Sequence, residues 1–316
     1  MMEKKKPLII LTGPTAVGKT EISLLFAKAI GGEIISADSI QVYKYMDIGS
    51  AKITKEEMQG IPHFLIDELY PDEEFNVVIF QKKAKEYIEQ IYQRRHIPVI
   101  VGGTGFYIQA VLYGIDFEET AADKSYREEL EMFAKENGVE ALHNKLKEVD
   151  EKAAEEIHAN NKKRVIRALE YYKQTGCKIS EHNEEQRKKC SPYQFVYFVL
   201  NQDRDILYKR INERVDKMME KGLLNEVEGL LEMGYQRELV SMQGIGYKEV
   251  VSYLEGEISL EEAVDRIKKE TRHFAKRQIT WFKRESEVTW IEMEKYFKKE
   301  DMLKVLLQKC REKGVI

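Results

Sequence analysis

Cysteine is scarce in this sequence, and the three cysteines lie far apart, at positions 177, 190 and 310. An odd number with wide spacing fits neither a disulfide framework nor a zinc site, and it is typical of a protein in a reducing cytoplasm. No two of the six histidines are four residues apart, so no tight transition-metal site is indicated. We therefore expect a cytoplasmic protein without a structural metal.

Long apolar runs are also absent. None approaches the ~20 residues needed to cross a bilayer, so no membrane span is expected. The basic start, Met1 to Lys6, leads into an apolar run of only Pro7 to Thr12, which does not fit a signal peptide. With 316 residues, of which 43% are hydrophobic and 34% charged, the chain can bury a sizeable core and form two domains.

One glycine-rich segment carries the clearest motif. Residues 13–20 read Gly-Pro-Thr-Ala-Val-Gly-Lys-Thr and match G-x-x-x-x-G-K-[ST] throughout. An apolar strand is predicted before the segment and a helix after it, which is the context that a phosphate-binding loop requires. Backbone N–H groups and the helix N-terminus favour phosphate, Lys19 reaches the terminal phosphate, and Thr20 offers a hydroxyl to Mg²⁺. A glycine turn without a ligand is the alternative. The predicted phosphate-binding residues are Gly13, Pro14, Thr15, Ala16, Val17, Gly18, Lys19 and Thr20.

A carboxylate is missing where nucleotide hydrolases usually hold their metal, at the end of a second hydrophobic strand. That strand is predicted at 97–101, and it is followed by Gly102-Gly-Thr-Gly105. The first acid after a predicted strand is instead Asp38. The sequence thus keeps a phosphate-binding loop without the usual metal acid, which argues against an ordinary NTPase.

Alternating patterns predict an α/β fold, a P-loop NTPase-like parallel sheet flanked by helices. Strands are predicted near 8–12, 33–36, 63–66 and 97–101, with helices near 18–30, 76–94 and 105–112. From 116 to 193 only helical periodicity appears, which predicts an inserted all-α domain. Residues 194–200 predict a returning strand, and residues 204–316 predict a helical C-terminal region. The predicted domains are therefore 1–115 together with 194–316, and 116–193.

Two predicted strand ends, expected on the same edge of the sheet, carry candidate chemistry. Asp38 follows one strand, where a carboxylate can serve as a general base or a metal ligand. It would serve equally well as a helix N-cap. Thr104, between glycines at another strand end, would direct a hydroxyl toward a ligand, unless the segment is only a tight turn.

Two basic segments suit a polyanion. Lys163 and Arg167 are four residues apart on one predicted helix face, with Val165 and Ile166 turned toward the core. An ion pair with Glu170 would make this an ordinary surface. Residues 268–284 contain seven Lys or Arg and one acid, interleaved with aromatics. This composition suggests RNA, although solvated cations over packed aromatics would look the same.

Taken together, these segments resemble the tRNA dimethylallyltransferase (isopentenyltransferase) family. The resemblance is carried by residues 13–20, 36–43, 46–49, 62–67, 102–107, 164–170, 244–249 and 271–282. The chain departs from the family pattern at Ser50 and Ile53, where Thr and Pro are usual, at Phe64 in place of a second histidine, and at Asn161 in place of aspartate. We expect these changes to affect local packing or capping and not the chemistry.

The resemblance implies transfer of a dimethylallyl group from dimethylallyl diphosphate to the N6 amine of adenosine 37 in tRNAs that read codons beginning with U. The phosphate loop would hold the leaving diphosphate, with Mg²⁺ near Thr20. Asp38 would act as the catalytic base, with Thr104 and Arg127 as further catalytic residues. The base would be flipped out of its stack to react. The implied partners are the tRNA anticodon stem-loop and dimethylallyl diphosphate, and a monomer is expected.

The implied RNA-binding residues are Asp38, Ser39, Ile40, Gln41, Thr104, Arg127, Lys163, Arg164, Val165, Ile166 and Arg167. Arg277 and Lys276 are candidate phosphate contacts. Two other functions remain open. A nucleotide or small-molecule kinase would use the same loop for ATP and the basic insertion as a lid. A non-catalytic RNA-binding protein would not need Asp38.

Overall fold

The computed structural model describes residues 5–117 and 124–316. The chain divides into a core unit, Met1–Leu112 with Pro192–Ile316, and a helical unit, Tyr113–Ser191. The predicted boundaries, 115/116 and 193/194, lie near these divisions. Residues 1–4 and 118–123, the latter within the predicted insertion, lie outside the described residues. Within the described ranges, no helix combines the length and apolar character needed to span a bilayer.

A six-stranded sheet forms the centre of the core unit. Its strands are β1 (Lys6–Thr12), β2 (Gly32–Ala37), β3 (His63–Phe64), β4 (Ile97–Gly102), β5 (Tyr193–Asn201) and β6 (Val288–Glu292). The order across the sheet is β3-β2-β4-β1-β5-β6, and all five neighbouring pairs are parallel. Leu8 through Leu11 of β1 are fully buried. Such a continuous apolar strand is expected where helices cover both faces of a parallel sheet.

Helices cover this sheet and form all of the second unit's regular structure among the described residues. In the core unit they are α1 (Lys19–Ile30), α2 (Val77–Gln93), α3 (Gly105–Leu112), α9 (Arg204–Glu220), α10 (Leu223–Glu232), α11 (Tyr247–Leu254), α12 (Leu260–Phe282) and α13 (Lys299–Glu312). In the helical unit they are α4 (Lys124–Asn137), α5 (Val139–Val149), α6 (Glu151–Glu156), α7 (Lys162–Thr175) and α8 (Ile179–Arg187). Side-chain caps begin several of them, among them Asn76 for α2, Asp203 for α9 and Ser259 for α12.

The prediction of an entirely helical region after residue 204 was wrong at β6. This strand pairs in parallel with β5 at the sheet edge. Its run Val-Thr-Trp-Ile-Glu is rich in β-branched and aromatic residues, which favour strands. Only Ile291 is buried, so the run lacks the apolar continuity that identified the central strands. The strand predicted at 63–66 is also shorter, because Leu65 takes a left-handed φ of 60° and leaves the ladder.

Three neighbouring strands of the sheet end at the same level. Gly102, the last residue of β4, pairs with Thr12 at the end of β1 and with Ala37 at the end of β2. The Thr12 hydroxyl donates to the Gly102 carbonyl at 2.6 Å. The loops that follow these strands therefore start side by side. Ligands of open α/β sheets bind at this carboxyl edge.

The helical unit has a core of its own. Leu142, Leu146 and Val165 are fully buried, and Leu130 and Ile166 are nearly so. This cluster brings α4, α5 and α7 together. Because these side chains recur at helical spacing, the periodicity that predicted the helices also supplies the core.

Candidate active site

The segment between β1 and α1 is a phosphate loop in geometry as well as in sequence. Gly13, Ala16 and Gly18 have φ values of 152°, 63° and 105°, and Gly18 caps α1. A side chain at Gly13 would put its Cβ 2.5 Å from the Leu200 carbonyl oxygen. The first glycine is therefore required by close packing against β5. The loop opens at the N-terminus of α1, where partial positive charge favours an anion.

Lys19 lies folded over this loop. Its Nζ donates to the Gly13 carbonyl at 2.9 Å and to the Pro14 carbonyl at 2.8 Å. The pKa of Lys19 is lowered to about 7, mainly by burial and next by the positive charge of Arg214, while the carboxylate of Asp38 acts in the opposite direction. An arriving phosphate would replace the two carbonyls and favour the charged ammonium.

Asp38 begins the loop that follows β2. Its Oδ1 accepts hydrogen bonds from the N–H groups of Ile40, at 2.9 Å, and Gln41, at 3.3 Å. These bonds form a turn that holds the loop. No helix begins between residues 38 and 62, so the helix N-cap role left open from the sequence is not the role of Asp38. Asp38 is only half-buried, and its charge acts on both Lys19 and Arg214. The second carboxylate oxygen can therefore still take part in chemistry near the phosphate loop.

The glycine segment after β4 lies directly beside Asp38. The Thr104 N–H donates to the carbonyl of Ala37 at 3.2 Å, so Thr104 is adjacent to the residue preceding the candidate base. The Thr104 carbonyl accepts from Tyr107 and Ile108 and begins α3. A side chain at Gly102 would clash with the Ala37 backbone at 2.2 Å. The two loops are therefore packed backbone to backbone, which brings together Asp38 and Thr104 as the sequence predicted.

Two arginines of α9 also reach this site, and they were not among the predicted residues. Arg214 Nη1 lies 3.2 Å from the Thr15 hydroxyl, and Arg210 Nη1 donates to the Val17 carbonyl at 3.3 Å. Burial lowers the pKa of Arg214, and the charge of Asp38 opposes this. Their spacing of four residues on the helix after β5 is the signal that could have identified them.

Gln278 of α12 is a second residue that the sequence analysis did not assign. Its Oε1 accepts from the Thr15 N–H at 2.8 Å, and its Nε2 donates to the Gly103 carbonyl at 2.9 Å. The side chain is 6% exposed. One amide therefore holds the phosphate loop and the glycine segment at a fixed separation, and both of its ends are occupied.

Replacing Gly103 by alanine should disturb this bridge. The added Cβ would lie 2.1 Å from Gln278 Nε2, which would displace the amide from both loops. We expect a loss of about 1–3 kcal/mol in the free energy of unfolding, measured in denaturant. Gly229→Ala is the control, because Gly229 lies within α10 with nothing near its Cβ. Alanine there should stabilise by up to about 1 kcal/mol. Equal changes in the free energy of unfolding for Gly103→Ala and Gly229→Ala would show that Gln278 does not hold the two loops together.

Six of the predicted residues, Arg127 and residues 163–167, lie in the helical unit. Arg127 forms a two-point pair with the buried Glu170, with both N–O distances 2.8 Å. These hydrogen bonds raise the pKa of Arg127. Glu170 thus pairs with Arg127 of the neighbouring helix α4. Half of the Arg127 side chain remains exposed, so the guanidinium is held rigidly at the surface of the unit.

Helix α7 presents its basic residues as the sequence pattern indicated. Lys163, Arg164 and Arg167 are exposed, while Val165 and Ile166 are 0% and 2% exposed. The last two side chains are enclosed in the unit's core and cannot contact RNA in this conformation. Their role is to hold the helix in place.

Lys276 and Arg277 are exposed on α12. The Arg277 guanidinium lies over the Phe274 ring, 5.8 Å from its centroid. Of the predicted loop residues around the base, Ser39 is exposed and Ile40 and Gln41 are half-buried. The Gln41 side chain donates to the Ser50 carbonyl at 3.3 Å, so it links the loop after Asp38 to the segment that contains Ser50.

The residues at the loop suit magnesium better than a transition metal. The described ranges, 5–117 and 124–316, contain no group of three or more His, Cys, Asp and Glu that could hold a metal ion. Thr20 is exposed in the first turn of α1. Magnesium is usually held by one or two protein oxygens together with substrate phosphates, and the Thr20 hydroxyl fits that arrangement.

Comparison with known proteins agrees with this geometry. A family profile described as IPP transferase matches residues 41–285. A tRNA dimethylallyltransferase of Lachnoclostridium phytofermentans is 60% identical, over 98% of this chain and 99% of its own. This chain belongs to the IPP transferase family.

Solved structures of this family share the fold. The tRNA isopentenylpyrophosphate transferase of Bacillus halodurans superimposes with a TM-score of 0.74 at 47% identity, covering 98% of each chain. A eukaryotic dimethylallyltransferase acting on tRNA gives a TM-score of 0.77 at 31% identity, over 91% of this chain and 74% of its own. The P-loop NTPase-like fold predicted from the sequence is thereby confirmed, as is the resemblance to the family.

Proposed function

We propose that this IPP transferase family member is a tRNA dimethylallyltransferase that modifies N6 of adenosine 37 in tRNAs reading codons that begin with U. The observation that carries the proposal is that β1, β2 and β4 end at the same level of the sheet, so that the phosphate loop and the Asp38 loop start side by side. In the reaction, the N6 nitrogen bonds to C1 of the dimethylallyl group and the C1–O bond breaks. Diphosphate leaves with the electron pair, and the N6 proton passes to Asp38.

The donor side of the site is suited to a leaving diphosphate. Negative charge grows on the diphosphate as the C1–O bond breaks, and preorganised donors stabilise such charge most effectively. The loop N–H groups, the ammonium of Lys19 and the guanidinium of Arg214 are those donors. When Mg²⁺ is bound near Thr20, it would neutralise further charge on the diphosphate. Gln278 would keep the loop at its distance from Thr104.

The acceptor side needs a base because an exocyclic amine is a poor nucleophile. Its lone pair is delocalised into the purine ring, so removing its proton as the bond forms lowers the barrier. The Asp38 loop is fixed by its own hydrogen bonds, which keeps the free carboxylate oxygen in one place. Thr104, next to it, would orient the adenine. The target base must leave its stack to reach this edge.

A kinase would use the same loop for ATP, so the donor must be tested directly. The protein is incubated with unmodified anticodon stem-loop RNA and labelled dimethylallyl diphosphate, with γ-labelled ATP as the alternative donor. Prenyl label in the RNA supports the proposal. Phosphate label from ATP with no prenyl transfer would support the kinase instead. The curated relatives named as tRNA dimethylallyltransferases favour the first outcome.

The basic face of α7 should contribute to tRNA affinity. In the variant Lys163→Gln with Arg167→Gln, two exposed cations are removed while the buried residues between them remain. We expect tRNA to bind more weakly, and the slope of log K against log salt to fall by about 1.5. Fluorescence anisotropy over a salt series measures both. An unchanged slope would show that these residues do not contact phosphates.

A further inference from the structure

Glu226 of α10 is bound by the backbone of a loop that is distant in sequence. Its Oε2 accepts from the N–H groups of Asp47 and Ile48, at 2.9 and 2.7 Å, and its Oε1 accepts from the N–H of Gly49 at 3.0 Å. We call these three loop residues the anchored segment. The Tyr247 hydroxyl also donates to Oε1, at 2.8 Å. Successive backbone N–H groups form a concavity that binds an anion, and here the anion is a side chain of the protein itself.

The anchored segment also packs closely against the start of α11. A Cβ added to Gly49 would lie 2.6 Å from the ring of Tyr247, which is fully buried. These two residues lie in segments 46–49 and 244–249, two of those that carry the resemblance to the family. The proposed mechanism gives neither segment a role. Because Glu226 joins them, their shared function lies in what this contact holds.

One connection from the anchored segment to the candidate base runs through Gln41. The Gln41 side chain donates to the carbonyl of Ser50, the residue after Gly49, at 3.3 Å. Its backbone N–H donates to Oδ1 of Asp38, also at 3.3 Å. A shift of the segment that Glu226 holds would therefore move a residue that is bonded to the carboxylate of Asp38.

A second connection runs through the loop before α11. The N–H of Ile40 donates to Asp38 at 2.9 Å. A Cβ placed on Gly244 would lie 3.3 Å from the Ile40 side chain and 3.4 Å from the Tyr247 ring, so these three residues are packed together. Tyr247 is in turn bonded to Glu226. Both N–H groups that hold Asp38 therefore belong to residues in contact with the surroundings of Glu226.

The loop after β2 needs such support, because no helix begins between residues 38 and 62. A reacting group must be held within about 0.5 Å of its productive position. We propose that Glu226 is a positioning residue for the proposed reaction: by fixing the anchored segment, its carboxylate keeps Asp38 where the N6 proton is taken. This role rests on the proposed function, and it requires no contact between Glu226 and the substrate.

The test variant is Glu226→Gln, which keeps the size of the side chain. A carboxylate has about four acceptor positions, whereas an amide can accept only at its oxygen, and its nitrogen would face the remaining donors. The control is Glu228→Gln, which changes an exposed glutamate on the same helix. Circular dichroism checks that both variants fold. If Glu226→Gln does not, the comparisons are made with Tyr247→Phe, which removes one donor to Glu226 and should show the same changes to a smaller extent.

Single-turnover dimethylallyl transfer at saturating donor and stem-loop RNA is the first measurement. Glu226→Gln should lower the rate about 10- to 100-fold relative to the control, as expected when a reacting group is displaced by about 1 Å. The Kd for pyrophosphate should equal the control's, because the anchored segment is no part of the phosphate loop. A rate equal to the control's, or weakened pyrophosphate binding, would overturn the inference.

A double-mutant cycle separates the positioning of Asp38 from a general loss of structure. In Asp38→Asn no base remains to be positioned, so adding Glu226→Gln should lower the residual rate much less than it lowers the rate of the unaltered protein. Equal factors in the two backgrounds would show that Glu226 does not act through Asp38.

Hydrogen exchange tests the anchoring without donor or RNA. The amides of residues 39–50 should exchange faster in Glu226→Gln than in Glu228→Gln, because local opening of the loop becomes easier. Equal exchange would overturn the inference. If exchange changes as expected but the unaltered protein transfers no dimethylallyl group, the proposed reaction is refuted and the anchoring is not.

Discussion

Replacing Asp38 by asparagine should lower the rate of dimethylallyl transfer by about 10²- to 10⁴-fold, the usual contribution of a positioned general base. The asparagine side-chain oxygen can still accept from the N–H groups of Ile40 and Gln41, so the loop should keep its shape. The loss should fall on kcat, because an amide cannot take the N6 proton. Single-turnover transfer to saturating stem-loop RNA measures it, with RNA affinity determined separately.

Two further changes separate chemistry from loop structure. Asp38→Ala removes the two loop hydrogen bonds as well as the base, so it should also lower the free energy of unfolding by about 1 kcal/mol. Asp72→Asn alters an exposed acid of the same unit and should leave transfer unchanged. If Asp38→Asn retains turnover within a few-fold of the unaltered protein, Asp38 serves only to hold its loop through the hydrogen bonds from Ile40 and Gln41.

Short-range patterns were sufficient for the phosphate loop and for the positions of the central strands along the chain. Gly13 and Lys19 belong to a motif whose spacing fixes backbone geometry, and β1 is a run of apolar residues that only a covered sheet would bury. The adjacency of Asp38 and Thr104 followed from a general rule, since carboxyl ends of parallel strands share an edge. These predictions needed no knowledge of how distant helices pack.

Residues brought in by distant helices could not be found in this way. Gln278 meets the Thr15 N–H across 263 residues of sequence, and Arg214 reaches the same loop from α9. In the helical unit, the ion-pair partner of Glu170 also could not be predicted from the sequence. Its buried carboxylate pairs with Arg127, 43 residues away, a partner that helical spacing could not indicate.

Replacing Lys19 by methionine should weaken pyrophosphate binding by about 10- to 100-fold near pH 6, where the ammonium is charged. The figure corresponds to one charge-assisted hydrogen bond of about 1.5–3 kcal/mol. Methionine keeps the length and apolar volume of the side chain, so the loop should still fold around it. Isothermal titration with pyrophosphate measures the change. An unaltered affinity would show that the diphosphate does not lie against Lys19.

The pH dependence of the same measurement tests the mechanism more closely. In the free protein, burial and Arg214 hold the pKa of Lys19 to about 7. Bound diphosphate favours the charged ammonium, so above pH 7 binding must take up a proton, and affinity should fall with rising pH by up to tenfold per pH unit. The methionine variant has no side-chain amine to protonate, while titration of the ligand is common to both proteins. The affinity of the unaltered protein divided by that of the variant should therefore shrink from pH 6 to pH 9. A constant ratio would mean that Lys19 is charged throughout this pH range, and that its lowered pKa does not govern diphosphate binding.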